Sequence, residues 1–214
     1  MSQINHPQLG RVTGTSQDGI AYFRGIKYAS LEHAFAAPKV YSERAADGLD
    51  ATRHGPGATS LSVACDMELG LIQKSLPHGP FTTSSTECLN LNIAVPENAK
   101  GPLPVFVFIH GGGFAIGSNA WPQYDLTRIV KLSQDIGKPV VGVQINYRLG
   151  VYGFLDSTAL REAGVKPNRG LLDQKAAFAW IRDHISGFHG NPDSVTAIGQ
   201  SAGSSKQLPL EPLV

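Results

Sequence analysis

Short apolar runs alternate along this chain with stretches of helical spacing. Val12 to Thr15 and Ile20 to Ile26 flank the turn Ser16-Gln17-Asp18-Gly19, which predicts a hairpin. Leu91-Asn92-Ile93-Ala94-Val95 alternates and ends at Pro96, so it reads as a strand. Gly101-Pro102 marks a turn before the buried strand 104–109. Leu126, Ile129, Val130 and Ile136 recur at helical spacing, with Gly137 as a stop. Pro139 to Ile145 predicts another buried strand. Asn168 stands where it can cap a helix whose apolar face is Leu172, Ala176, Ala179 and Trp180, ending near Gly187. A last apolar run, Val195-Thr196-Ala197-Ile198, precedes a cluster of glycines. Strands alternating with helices predict an α/β fold, a mainly parallel sheet covered on both faces, with an N-terminal hairpin.

From Ala29 to Thr86 the pattern is irregular, with scattered Gly and Pro. That is too long for a structureless loop in a compact domain, so short elements packed over the sheet are expected there, as part of a pocket wall. Neither internal repeats nor low-complexity linkers divide the 214 residues, which predicts a single domain over 1–214. A 42% hydrophobic, 16% charged composition suits a packed core. The formal charge of +1 and the absence of a basic block argue against nucleic-acid and membrane-surface partners. No signal-peptide core precedes Val12 and no run reaches a membrane span, so a cytoplasmic location is expected. Cys65 and Cys88 are the two cysteines; they close a loop as a disulfide or stay reduced, and the expected compartment favours the reduced state. Two cysteines alone make no structural zinc site, and neither metal nor cofactor is expected.

Candidate chemistry lies at two glycine-rich stretches. Gly199-Gln200-Ser201-Ala202-Gly203 follows the last apolar run. Glycines on both sides permit a sharp turn that leaves Ser201 on a strand-to-helix corner, the nucleophile elbow of the α/β-hydrolases. A lone G-x-S-x-G is weak, but His110-Gly111-Gly112-Gly113-Phe114 directly follows the strand at 104–109. A strand running into such a loop presents backbone N–H groups to a developing oxyanion.

Further segments carry a family resemblance. Glu87-Cys88-Leu89-Asn90-Leu91-Asn92-Ile93, the HGGGF stretch, Asn146-Tyr147-Arg148-Leu149-Gly150, Gly170-Leu171-Leu172-Asp173-Gln174 and Phe188-His189-Gly190-Asn191-Pro192 lead in order to the Ser201 motif. Over roughly residues 12 to 205 the sequence resembles the type-B carboxylesterases, the carboxylesterase and cholinesterase group, and most resembles fungal members. The resemblance implies Ser201 as the nucleophile of an acyl-enzyme and a small-molecule ester as substrate. It implies oxyanion-hole N–H groups from Gly112, Gly113 and Ala202, with Ala202 opening a helix whose N-terminal end favours the anion. Arg148 and Asp173 resemble the family's buried ion pair, a structural feature.

The sequence departs from the family in four ways. The residue before the serine is usually Glu and here is Gln200. Ala34 replaces a frequent Arg, leaving Glu87 without its usual partner. No Trp lies between Cys65 and Cys88 to hold a quaternary ammonium, so choline esters are not expected. Lastly, the family's triad acid and His follow the serine, whereas here only Glu211 and no His follow Ser201. The stretch from Lys206 onward, with Pro209 and Pro212, does not resemble the family and ends the expected helix. The chain thus reads as the N-terminal half of an α/β-hydrolase fold, truncated after the elbow. His6, His33, His54, His78, His110, His184 and His189 all read as structural or solvated. Three functions are consistent with this reading. One is a serine ester hydrolase, another an inactive remnant or binding protein, and the last a fragment completed by a second chain. Truncation would also leave an open sheet edge prone to aggregation.

Overall fold

The structure is a computed structural model that describes residues 1–204. Its seven main strands are β1 (Ser2–His6), β2 (Gly10–Gln17), β3 (Ile20–Lys27), β4 (Asn90–Pro96), β5 (Leu103–Ile109), β6 (Val141–Ile145) and β7 (Gly190–Gly199). They lie in the order β1-β2-β3-β4-β6-β5-β7, and the short strand Leu49–Asp50 completes the sheet by pairing with β2. The sheet is mixed. β1 to β4 are antiparallel to one another, and β4 is antiparallel to β6. Parallel pairing holds among the main strands for β6-β5 and β5-β7.

The β2–β3 hairpin turns on Asp18 and Gly19, both at positive φ (53° and 78°), the geometry of a type I′ turn that suits the strand twist. β1 was not legible in the polar stretch before Val12. It forms because Ile4 reaches the core while its polar neighbours face outward, and the whole strand pairs in register with β2 from Ser2↔Gly14 to His6↔Gly10. The irregular region from 29 to 86 contains the expected short elements. They are the ladders Ala29–Ser30 with Lys39–Val40 and Gly57–Ala58 with Thr83–Ser84, and the helix α1 (Ala64–Leu71).

Helices cover both faces of the sheet. On one side, α2 (Thr127–Asp135) seats Val130, with Leu126 just before it, on Ile20, Tyr22 and Ala94. α3 (Gly150–Phe154) and α4 (Thr158–Glu162) lead to α5 (Arg169–His184) on the other side. There Ala176, Ala177, Trp180 and Ile181 join a large core with Phe23, Val105 and Val143.

Two helical faces differ from their expected form. On α2 the buried strip is Leu126, Val130 and Ser133, whereas Ile129, Leu132 and Ile136 form a second, exposed strip. On α5 the inward face is rotated: Asp173, Ala177 and Ile181 are buried, and Leu172 and Ala179 are only half-buried. A buried ion pair at Asp173 sets that rotation. Asn168 occupies the N-cap position, but at φ 53° and without a side-chain cap; its carbonyl instead accepts from the Leu171 and Leu172 N–H groups.

Candidate active site

β5 has parallel partners on both sides: the chain passes from β5 to β6 on one side and then crosses back over β5 to reach β7 on the other. Such a reversal opens a crevice at the carboxyl ends of the strands. Both glycine-rich stretches begin there. β5 ends at Ile109 and runs into His110-Gly111-Gly112-Gly113; β7 ends at Gly199, in register with Ile109, and runs into Gln200-Ser201.

The two stretches touch. Gln200 N donates to Ile109 O at 3.1 Å, and a Cβ placed on Gly111 would stand 3.1 Å from that of Ser201. Gly203 is buried against the Ile109 and His110 carbonyls, where any side chain would collide with backbone. Ser201 is exposed and sits at φ 49°, a conformation that costs a non-glycine residue energy unless its surroundings impose it. The turn Ser201–Ser204 is held by Gly203 N donating to Gln200 O (2.8 Å) and Ser204 Oγ donating to Ser201 O (2.6 Å). Ala202 lies inside this 3₁₀ turn; the longer helix expected to follow it, and the tail with Pro209, Glu211 and Pro212, fall outside the described residues.

Gly112 and Gly113 lie at φ 96° and 60°, and Gly112 also abuts the Ile116 carbonyl, so no side chain fits there. Ala115 N and Ile116 N donate to Gly112 O, curling the loop on itself. Among the described residues, the Gly112 and Gly113 N–H groups have no acceptor. Buried asparagines hold the segment that follows. Asn119 N donates to Asn146 Oδ1 (2.7 Å), Asn92 Nδ2 donates to Asn119 O (2.9 Å), and Asn90 Nδ2 donates to Pro56 O (2.8 Å). His110 is sealed beneath the loop, stacked on Tyr147 at 4.6 Å, with its Nδ1 3.0 Å from Gly111 O. Burial pushes its imidazole down to about 4, so it is neutral at neutral pH. Tyr147 Oη in turn donates to His110 O (2.9 Å).

The other predicted residues stand apart from Ser201. Arg148 Nη2 and Nε grip both oxygens of Asp173 at 2.6 and 2.8 Å, and Arg148 Nη1 donates to the carbonyls of Ala34 and Ala36. Burial pushes the Asp173 carboxyl up, while these hydrogen bonds to Arg148 oppose it. Glu87 does have a partner: Lys27 Nζ is 2.8 Å from its Oε2. Cys65 and Cys88 form no disulfide. Both are free and buried, Cys65 packing with Trp121 and Cys88 with the main core. Burial pushes their thiols up to about 11 and about 12. Among the described residues no histidine hydrogen-bonds Ser201. His6 Nε2 contacts His184 O (2.8 Å), His54 lies on Asn92, and His78 lies on Asp66.

Sequence reasoning missed Glu68 and Tyr124. Glu68, in α1, is buried; Tyr124 Oη donates to its Oε1, and Gln200 Nε2 approaches the same oxygen at 3.4 Å. A lone Glu between Met67 and Leu69 carries no local signal. Its position beside Gln200 depends on how α1 folds over the sheet, 132 residues away in sequence.

A mixed sheet of this order, with a serine turn and a glycine loop meeting at its reversal point, defines an α/β-hydrolase. The chain belongs to the carboxylesterase family, which it matches over residues 2–206. It is similar to the para-nitrobenzyl esterase of Bacillus subtilis (strain 168), 38% identical over 204 residues covering 94% of this chain and 38% of that protein. It is also similar to the inactive carboxylesterase-like protein VdtD of Byssochlamys spectabilis, 34% identical over 90% of this chain and 32% of that one. A solved structure of a thermophilic PNB esterase superposes with a TM-score of 0.77 at 35% identity, over 93% of this chain and 38% of that one. The chain thus spans less than two fifths of the length of these relatives. Among the described residues no helix is long and apolar enough to cross a membrane.

Proposed function

We propose that the protein hydrolyses small carboxylic esters through an acyl-enzyme, with Ser201 as the nucleophile. The observation that carries this reading is the contact of the Ser201 turn with the glycine loop at the ends of β7 and β5. Ser201 Oγ attacks the ester carbonyl carbon as its proton passes to a base. The carbonyl oxygen becomes anionic and is held by the N–H groups of Gly112, Gly113 and Ala202, a donor set whose members each contribute about 3 kcal/mol to the transition state. Collapse expels the alcohol, and water then releases the acid from Ser201. Positive φ angles at Gly112, Gly113 and Ser201 support this assignment, because residues held in sparsely populated backbone regions cluster at active sites.

An inactive, ligand-binding role is the second reading. It is favoured by the lack of a histidine on Ser201 among the described residues and by the similarity to a protein named as inactive. One experiment separates the two. The chain and its Ser201→Ala variant are treated with a fluorophosphonate and weighed intact. An adduct on the wild type alone is expected for the esterase; no adduct on folded wild-type protein would overturn it.

A further inference from the structure

Glu68 is the one carboxylate that the described hydrogen bonds bring to the turn carrying Ser201. It is buried, 7% exposed, yet no cation pairs with it among the described residues. Two donors, Tyr124 Oη and Gln200 Nε2, converge on Oε1, while Oε2 is buried without a partner. Burying an unpaired charge is costly, and removing one such oxygen from water without a donor adds to that cost. Tyr124 is fixed in turn, since Gln144 Nε2 donates to its carbonyl and Tyr22 Oη donates to Gln144 Oε1 (2.7 Å). A three-residue relay from the sheet centre therefore presents a carboxylate to the residue before the serine. α1 places it there with no need for Glu68 in its own packing, which is carried by Ala64, Cys65 and Leu69 against Trp121 and Tyr124.

We propose that Glu68 is a positioning residue for Ser201: its carboxylate holds the Gln200 side chain and supplies negative charge beside the serine turn. The proposal rests on the reading of Ser201 as nucleophile. Holding Gln200 steadies the peptide that leads into the positive-φ serine. The charge favours the cation that forms next to Ser201 once a base has taken the serine proton.

The test uses the full chain and three variants, Glu68→Gln, Tyr124→Phe and the exchanged pair Glu68→Gln/Gln200→Glu. The rate of Ser201 phosphonylation by a fluorophosphonate is the readout, with circular dichroism to establish folding. Glu68→Gln keeps shape and loses charge, and should slow the reaction about tenfold, the effect of losing one charge-assisted contact. Tyr124→Phe keeps the charge and should slow it less. The exchanged pair returns a carboxylate and an amide to the same contact, and should recover most of the lost rate, a rescue that simple packing would not produce. A wild-type rate in Glu68→Gln, or no recovery in a folded exchanged pair, would overturn the proposal. If wild-type chain forms no adduct at all, the nucleophile reading fails first. The contact is then read from the urea midpoints of Glu68→Gln, Gln200→Ala and their combination. A combined shift smaller than the sum keeps Glu68 as the group that holds Gln200; additive shifts remove it.

Discussion

Arg148 is among the largest side chains fully withdrawn from solvent, and its guanidinium has Asp173 as its counter-ion. Breaking such a pair strands a charge in the core, so Asp173→Asn should lower stability by about 3–5 kcal/mol, measured by urea denaturation. His110 gives a pH signature. Its folded-state imidazole is held near 4, below the ordinary value of 6.5, so the unfolded chain binds the extra proton first. Its contribution is therefore complete above pH 6.5 and is lost as pH falls from 6.5 towards 4. At pH 5 the loss should be about 2 kcal/mol relative to pH 7, and His110→Gln should flatten that part of the profile. The buried thiols, pushed up to about 11 and about 12, should resist iodoacetamide until the chain is unfolded, and mass spectrometry would count the labels.

At the scale of elements, the strands were legible because their apolar runs are bounded by turn residues. Leu91 to Val95 and the run at 104–109 lie inside β4 and β5, and the hairpin falls where Asp18-Gly19 demands it. β1 was hidden because an edge strand needs few apolar residues, and Ile4 is its one apolar contribution to the core. Helical faces were legible in period but not in phase. On α5 the Arg148 partner had to point inward, and on α2 two apolar strips compete while the sheet covers one. The segment after the glycine loop is held by side-chain amides rather than by a ladder. Asn119→Ala removes the Nδ2 donor to Asn90 O and Asn90 Oδ1 while keeping the backbone N–H on Asn146, and should cost about 1–3 kcal/mol in thermal or urea unfolding while sparing secondary structure.

For the whole molecule, β7 is the end of the sheet as described, and its residues are half-buried to exposed from Asn191 onward. Ile198 on β7 and Ile129, Leu132 and Ile136 on α2 add exposed apolar area. Exposed apolar side chains of this kind favour association between chains. We expect the 214-residue chain on its own to self-associate, seen by size-exclusion chromatography with light scattering. Ile198→Lys with Leu132→Lys should shift it towards monomer.

The sequence alone determined the α/β class, the order of the strands β2 to β7 along the chain and the two glycine stretches, because period, turn chemistry and local backbone freedom are short-range properties. It also placed Arg148 and Asp173 as a pair, through the family resemblance. Tertiary structure alone decided what those stretches meet. The side-by-side register of Ile109 and Gly199, the inward turn of Asp173 on α5 and the approach of Glu68 to Gln200 depend on sheet order and helix phase. Such contacts join residues remote in sequence, and no local pattern encodes which remote partner a buried polar group will find.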